Sequence, residues 1–438
     1  MLEAMFDLPV ETLTLCAVLV FTLTEYFWKA YLSYRQRRIY RSTTCVPQEL
    51  CNFEDPRTFA KLRIYHLEQS SFSFWFDLLS EIIWVLILLL GGIPFLWDVA
   101  GSMVAHLDLY PECEVHQSMV FLILTILLEC LNELPRSVHH TLIGKKLGFK
   151  QQAFFVDVVK TSILILLICL PTTPVFLAFL KFSEDYFFWA WLLNMVASLV
   201  LEITIYHYAP PLLEKFTPLP AGELKTAIEA MAHSIGFPLT KIQVAKGSSQ
   251  LSHNNICIYG SYRDKHIMLF DSLLENKSSP NRKNMKLRNN PEILAIVAHE
   301  LGHWKLGHSI KVFVIQEMSS FLWFFLFSVL SGHKEPFVAF GFTDSQPAII
   351  GFIIFNLLIS PHKELLSFCL TVLSRRFEFQ ADAFACSLGK ASELRSALIK
   401  LNKDNLGFPV ADWLFSVWNY SHPPLLERLR ALDNAKQD

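Results

Sequence analysis

His299-Glu300-Leu301-Gly302-His303 is an H-E-x-x-H motif, in which the two histidines stand four residues apart. On an α-helix such residues share one face, so both imidazoles can reach a single metal ion. Glu300 is then placed to act as general base for the water that attacks a peptide carbonyl. Three fixed residues occur by chance in about a few per cent of chains this long. Two histidines that merely pack or face solvent therefore remain the alternative interpretation.

The residues before the motif favour a helix. Asn290-Pro291 is typical of a helix start, with asparagine as N-cap and proline at the first helical position. Apolar residues then recur at helical spacing, at Leu294, Val297, Ala298 and Leu301.

Composition indicates a polytopic membrane protein. Hydrophobic residues make up 52% of the 438 residues, charged residues only 18%, and phenylalanine alone counts 37. The mean hydropathy of +0.35 excludes an ordinary soluble enzyme of this size. A net charge of -2, with no long basic tract, predicts no nucleic-acid partner.

The cysteines and the N-terminus agree with this class. The nine cysteines are scattered without a C-x-x-C pair, which indicates reduced thiols rather than a disulfide framework. Glu3 and Asp7 precede the first apolar run where a cleaved signal would carry basic residues, so we expect that run to stay as an anchor.

Apolar runs predict about seven membrane spans. They are Leu13–Leu32, Leu78–Trp97, Ser118–Leu134, Ser162–Leu180, Tyr186–Tyr206, Val312–Leu330 and Ala348–Leu373, the last kinked at Pro361. Lysine and arginine cluster after the first span and between the third and fourth. The positive-inside rule then predicts a luminal N-terminus and a cytosolic segment between the fifth and sixth spans.

That cytosolic segment, Ala209–Ser309, is long enough for a folded unit and contains the metal motif. An amphipathic helix is predicted at Gly222–Ile235, and strands at Ile242–Val244, Ile256–Tyr259 and Ile267–Phe270. A polar connector at Asn276–Asn290 follows. The fold class is therefore mainly α, a membrane protein with a gluzincin-like metalloprotease domain that carries a small β-sheet. Its predicted parts are residues 1–208 and 310–373 for the spans, 209–309 for the protease segment, and 374–438 for the rest of the catalytic domain.

A third metal ligand is expected after the seventh span. The sixth and seventh spans form an out-and-back pair, so Glu378 and Asp382 emerge on the side of the histidines. Glu378 completes a set of two histidines and one glutamate, and Asp382 is placed to hydrogen-bond a ligand histidine. The alternative is a solvated helix face whose carboxylates pair with Arg375 and Arg376.

The spacing places the metal close to the membrane. Val312 lies nine residues past His303, which sets the metal about 13 Å from the bilayer if the helix continues. Such a site suits membrane-bound substrates.

Polar residues within the spans indicate either a wet interior or hydrogen bonds between helices; they are Glu25, Glu81, Glu129, Asn194, Glu202, Glu317 and Asn356.

Three extended motifs resemble the integral-membrane zinc CAAX prenyl protease family, its animal members above all. They are residues 299–308 (HELGHWKLGH), residues 374–384 (SRRFEFQADAF) and residues 421–424 (SHPP). The likeness extends over nearly the whole chain. It implies seven helices that enclose a water-filled chamber capped by the zinc domain, in the endoplasmic reticulum and inner nuclear membranes. It also implies removal of the last three residues of prenylated (farnesylated) proteins, and a second upstream cut in prelamin-A-like substrates.

The resemblance assigns the metal centre residue by residue. His299, His303 and Glu378 match the ligands of one zinc ion per chain. Glu300 matches the catalytic base, and Asp382 matches a carboxylate behind a ligand histidine.

Three further residues match the substrate side of the family site. His422 matches a histidine that stabilises the oxyanion, with Arg428 as its support. Asn255 resembles the asparagine on an edge strand to which substrate backbone adds by β-augmentation.

Two other functions remain open from the sequence. One is a membrane client-binding or quality-control factor with a structural zinc site, for which a fourth protein ligand such as His308 would be needed. The other is an intramembrane-cleaving metalloprotease, which the position of the motif outside any apolar span disfavours.

Overall fold

The computed structural model of the chain describes residues 9–51, 55–107, 114–148, 154–213, 215–246, 256–260, 264–274 and 290–434. The chain divides into two compact units. The helical unit comprises residues 1–45, 56–192 and 319–366, and the sheet unit comprises residues 46–55, 193–318 and 367–438. Asn255 and most of the predicted connector Asn276–Asn290 lie outside the described residues.

Helices account for most of the described chain. In order they are α1 Val10–Ser42, α2 Pro56–Leu89, α3 Gly92–His106, α4 Glu114–Leu147, α5 Phe154–Asp185, α6 Phe187–Leu213, α7 Glu223–Ser234, α8 Asp271–Leu274, α9 Asn290–Lys305, α10 His308–Ser331, α11 Glu335–Ala339, α12 Ala348–Leu358, α13 Ser360–Ser387, α14 Ala391–Asp404, α15 Trp413–Asn419 and α16 Leu425–Asn434.

Five of the described helices are long and apolar enough to cross a membrane, namely α1, α2, α4, α5 and α10. The bent pair α12 and α13 adds a sixth if it counts as one span. The described apolar part of α6, Phe187–Leu201, is shorter. A membrane protein is confirmed, whereas the predicted count of seven spans is not.

The predicted span Leu78–Trp97 is wrong as a single helix. The chain breaks between α2 and α3 at Gly91, whose φ of +71° lies in the left-handed region that favours glycine. Gly92 follows in close packing, because a Cβ there would lie 2.9 Å from Ile87 Cγ2. Two glycines in an apolar run thus turn the backbone where hydropathy indicates a continuous span.

Two other helix breaks fall at a proline and at a glycine. The predicted kink at Pro361 is confirmed, since α12 and α13 meet at 58°. Proline stands in the first turn of α13, where its missing N–H is tolerated. The motif helix does not continue past His303 as assumed: α9 ends at Lys305 and Gly307 adopts φ +66° before α10 begins. The distance of about 13 Å derived from a continuous helix therefore does not hold.

Aromatic residues dominate the core of the helical unit. Trp97 and Phe121 pack edge to face at 5.7 Å, and Trp323 stacks on Phe327 at 5.2 Å. By contrast, only 6% of the apolar window of α1 is buried in the protein. Such exposure of apolar helix surface is what a lipid-facing helix requires. The eight cysteines among the described residues are all free thiols.

A four-stranded mixed sheet forms the core of the sheet unit. Its strands are β1 Lys215–Pro218, β2 Leu239–Lys246, β3 Ile256–Gly260 and β4 Lys265–Phe270, in the order β1-β2-β4-β3. The central pair β2 and β4 is parallel and both outer pairs are antiparallel. The three predicted strands and the helix at Gly222–Ile235 are confirmed, whereas the short strand β1 was not expected.

The sheet positions the motif helix. Ile242, Ile267 and Leu269 of the sheet share one buried core with Val297 and Leu301 of α9. On another side, Ala295 and Ala298 of α9 join a second cluster with α14 and α16. At the start of α9, Glu292 is buried and its carboxylate lies 2.6 Å from Lys400 Nζ. The helix is therefore held on two sides and at one end.

Candidate metal centre

Helix α9 brings the two histidines of the motif together. Their Nε2 atoms lie 3.2 Å apart, and the rings meet nearly edge to face. His299 is buried, while a quarter of the His303 side chain is exposed (25%). One imidazole thus faces the protein interior and the other borders the open side of the site.

Helix α13 supplies the carboxylate that the sequence predicted. Glu378 places Oε2 3.4 Å from His299 Nε2 and Oε1 3.3 Å from His303 Nε2. This approach depends on Gly302, because a Cβ at that position would lie 3.1 Å from Ala381 Cα on α13. The absence of a side chain at Gly302 lets the two helices come close enough for the three groups to converge.

The three residues fit a divalent metal ion. Two donors about 2.1 Å from one tetrahedral zinc lie about 3.4 Å apart. Here the two histidine Nε2 atoms lie 3.2 Å apart, Glu378 Oε2 lies 3.4 Å from His299 Nε2, and the other carboxylate oxygen, Oε1, lies 3.3 Å from His303 Nε2. Buried Glu378 Oε2 accepts no hydrogen bond, although Arg428 Nη1 lies 3.2 Å away. In the described part of the chain this is the one cluster of three or more such side chains suited to a metal.

The solvated-face alternative for Glu378 and Asp382 is wrong. Both side chains are buried, at 4% and 2% exposure. Arg375 does not pair with either of them, since it donates to Glu427 Oε2 at 2.6 Å and to Ser416 Oγ at 2.8 Å.

Asp382 holds the outer nitrogen of His299, as predicted from its position. Its Oδ1 lies 2.9 Å from His299 Nδ1, and Arg428 donates to both of its oxygens at 2.7 and 2.8 Å. Burial disfavours a charged imidazole, but the bonds to Asp382 and Glu378 outweigh it and raise the pKa of His299 to about 9. Since a ligand histidine must be neutral, metal binding at neutral pH releases this proton.

His303 is held by a different set of residues. Its Nδ1 lies 2.9 Å from Nδ1 of His308, the first residue of α10. The other ring nitrogen of His308 lies 3.0 Å from Gln380 Oε1, and the ring stacks on Phe377. His308 therefore contacts the outer ring nitrogen of His303 and is not itself one of the candidate metal donors. Among the described residues the donor cluster has three members and no fourth protein ligand.

Glu300 lies on the motif helix between the two histidines and is partly buried. Burial raises the pKa of its carboxyl group, and the nearby His299 and His303 oppose this shift. A raised pKa brings a carboxylate closer to the range in which a general base works best at neutral pH. The pKa of the Cys257 thiol on β3 is also raised, mainly by burial and to a smaller extent by the negative charge of Glu300.

His422 reaches the exposed side of the cluster. Its Nε2 lies 3.3 Å from Glu378 Oε1, and its side chain is 60% exposed. Ser421 Oγ lies 3.1 Å from its other ring nitrogen. The structure thus brings together every predicted site residue except Asn255, which lies outside the described residues.

Sequence reasoning missed two features of the centre. Gln380 was not singled out, and His308 was considered only as a fourth ligand. No local pattern points to Gln380, because it lies two residues after Glu378 and residues at that spacing do not share a helix face.

This fold and this cluster define a membrane-spanning metallopeptidase. Residues 218–436 match the family described as "Peptidase family M48", and residues 35–215 match "CAAX prenyl protease N-terminal, five membrane helices". The chain therefore belongs to peptidase family M48 and carries the N-terminal region of the CAAX prenyl proteases.

Relatives with curated names align along the full length. The chain is 53% identical to the mouse "CAAX prenyl protease 1 homolog" and 52% identical to that of Homo sapiens, over 100% of this chain and 98% of each relative. It is 34% identical to "CAAX prenyl protease 1" of Saccharomyces cerevisiae, over 94% of both chains. Among solved structures, S. mikatae Ste24p superposes with a TM-score of 0.80 at 32% identity, over 97% of this chain and 99% of that one.

Proposed function

We propose that this chain is a zinc endopeptidase that removes the last three residues of prenylated CAAX proteins. The observation that carries the proposal is the convergence of His299, His303 and Glu378, in which the nearest nitrogen or oxygen atoms of each pair lie 3.2 to 3.4 Å apart. Glu300 lies between the two histidines in the sequence. The whole-length similarity to mouse and human CAAX prenyl protease 1 homologs supports the substrate class.

Each residue of the centre has a distinct role in this proposal. His299, His303 and Glu378 hold one zinc ion, which when bound supplies Lewis-acid chemistry to a peptide carbonyl. Glu300 accepts a proton from the attacking water and passes it to the amine that leaves. Water thereby adds its hydroxyl to the carbonyl carbon and its proton to the leaving nitrogen, which balances the hydrolysis.

The remaining polar residues orient and stabilise. Asp382, fixed by two bonds from Arg428, accepts the Nδ1–H of His299, so that Nε2 is the nitrogen that would bind the metal once the ring is neutral. His422 is largely exposed on the open side, where its imidazole can donate a hydrogen bond to the carbonyl oxygen as that oxygen gains charge. Arg428 supports this site from behind through its contact with Glu378.

Substrate backbone would add to strand β3. This strand lies at the edge of the sheet and against the motif helix α9, so a peptide paired with it would lie along the centre. Asn255, directly before β3, remains the predicted contact for that peptide.

The proposal also covers substrates and location. It includes a second upstream cut in prelamin-A-like substrates and lipid contact along the spans. It also includes residence in the endoplasmic reticulum and inner nuclear membranes, with the centre facing cytosol or nucleoplasm. The predicted chamber and its cap belong to the same proposal.

Cleavage of defined peptides tests this function. The purified full chain in lipid vesicles is given one CAAX peptide in farnesylated and unprenylated forms, with and without a zinc chelator. We expect release of the last three residues from the farnesylated peptide alone. Chelator should abolish this release, and Glu300→Gln should reduce it by about 10²- to 10⁴-fold. Equal cleavage of both peptides would reject the prenyl requirement, and cleavage that survives chelation would reject the metal mechanism.

The client-binding alternative has a distinct expected result. A structural zinc site needs a closed set of four protein ligands, whereas the donor cluster here has three among the described residues. If the protein retains zinc, binds the farnesylated peptide and leaves it intact, that alternative is correct. The intramembrane-cleaving alternative conflicts with the break at Gly307, which separates α9 from the apolar helix α10.

A further inference from the structure

The two histidines of the centre are supported by different chemistry. Behind His299 stands a carboxylate, Asp382, itself paired with Arg428. Behind His303 stands a neutral relay, in which His308 Nδ1 lies 2.9 Å from His303 Nδ1 and His308 Nε2 lies 3.0 Å from Gln380 Oε1. A ligand histidine usually donates its outer N–H to a carboxylate, a carbonyl or water. A second imidazole in that place calls for an explanation.

Proton positions in the relay follow from its far end. Gln380 Oε1 only accepts hydrogen bonds, so His308 Nε2 must carry the proton that it receives. In a neutral His308 the other nitrogen, Nδ1, is then an acceptor, and it receives the N–H of His303 Nδ1. His303 Nε2 is left with a free lone pair that points toward His299 and Glu378, as a metal ligand requires.

The opposite direction would disable the site. If the amide nitrogen of Gln380 faced His308, the proton of His308 would shift to Nδ1 and that of His303 to Nε2. A protonated Nε2 cannot bind a metal ion. The orientation of one glutamine amide therefore selects between a competent and an incompetent tautomer two residues away along the relay.

Packing holds the relay in place. His308 is buried, and its ring lies parallel to Phe377 at 4.1 Å with an interplanar angle of 7°. Phe377 directly precedes Glu378 on α13, so the same helix that supplies the carboxylate also supports the ring and carries Gln380. The turn at Gly307 places His308 beside His303 in spite of the five-residue separation.

We propose that His308 and Gln380 are positioning residues that set the tautomer and the orientation of His303 for metal binding. This inference rests on the proposed function only in that the centre holds zinc. It assigns to the third histidine of the sequence HELGHWKLGH, residues 299–308, a role other than metal ligation.

Zinc affinity of matched variants tests the relay without any cleavage assay. The full chain in detergent, stripped of metal, is titrated with zinc in competition with a chromophoric chelator. Loss of a residue behind a metal ligand typically weakens metal binding about 10- to 100-fold. We expect such a loss for His308→Phe, which keeps a stacked ring without nitrogens. We expect His308→Asn to recover most of the affinity, because its amide oxygen can take the place of Nδ1.

A second pair tests the direction of the relay at its far end. Gln380→Glu leaves only acceptor atoms and should keep zinc affinity close to wild type. Gln380→Met has similar length without an acceptor, and should weaken binding about tenfold. His333→Phe, an exposed histidine beyond the end of α10, is the control and should bind zinc as wild type does.

The outcomes distinguish a failure of the His308–Gln380 relay from a failure of the proposed zinc centre. Equal affinities of Gln380→Met and Gln380→Glu, or wild-type affinity of His308→Phe, overturn the relay while the metal centre stands. If His308→Phe fails to fold, as judged by its thermal melting, the Gln380 pair decides alone. Absence of zinc binding by the wild type would instead reject the proposed function itself.

Discussion

The helical unit and the sheet unit are stabilised by opposite means. In the helical unit, apolar side chains cover the outside of the spans, and only 6 to 17% of each apolar window is buried. In the sheet unit, Arg428, Asp382 and Glu378 are all buried and held by ion pairs around the proposed metal centre. Apolar contacts are tolerant of small shifts, whereas buried charges without partners are strongly destabilising. We therefore expect function to respond sharply to changes at the buried charges of the sheet unit and weakly to changes in the helical unit.

The largest contrast should come from two glutamates on the same helix. Glu378→Ala should lose its zinc and all measurable cleavage, because two imidazoles leave the ion with too few protein ligands. Glu364→Ala, earlier on α13 and 3.6 Å from Lys29 in the helical unit, should keep both. Metal analysis of the two purified proteins measures the difference. Similar zinc contents would show that the two regions do not differ in the way described.

Glu300→Gln should separate metal binding from chemistry. The amide cannot accept the proton of the attacking water, so cleavage should fall by about 10²- to 10⁴-fold while zinc content stays at wild-type level. Glu229→Gln on α7 of the same unit is the control and should change neither quantity. Rates from single-turnover cleavage of the farnesylated peptide provide the measurement. A Glu300→Gln protein of full activity would remove the general base from the mechanism.

A subtler change within the sheet unit is Arg428→Lys. Lysine keeps the charge but cannot donate two parallel bonds to Asp382, so the orientation of His299 is lost and zinc should bind about 10- to 100-fold more weakly. Arg430→Lys on the same helix is the matched control, since Arg430 is exposed and pairs with Glu49. Chelator competition compares the two. Equal affinities would mean that the Arg428–Asp382 pair has no influence on the metal.

The smallest expected effect lies in the helical unit. Gly91→Ala places a side chain at φ +71° between α2 and α3, which should destabilise the protein by about 1 kcal/mol. Nothing lies within 4 Å of the added Cβ, so strain of the backbone is the sole cause. Thermal melting in detergent should show this, with zinc affinity unchanged. A loss of zinc affinity in this variant would indicate that the helical unit controls the centre after all.

Local patterns predicted the main elements of the sheet unit but missed backbone breaks in both units. The motif helix, three strands and the approach of Glu378 follow from spacing, alternation and the out-and-back order of two apolar runs. The breaks at Gly91 and Gly307 do not, because hydropathy averages over a glycine and the backbone angle is set by packing. The relay through His308 and Gln380 joins residues 72 positions apart, and no local period reports such a pair.

Crystals of the full chain, measured at the zinc absorption edge, would locate the metal directly. We expect one anomalous peak per chain, about 2.0–2.2 Å from His299 Nε2, His303 Nε2 and a Glu378 oxygen, with no fourth protein ligand. A peak bound by His308, a peak elsewhere in the chain, or no peak in active protein would contradict the proposed centre.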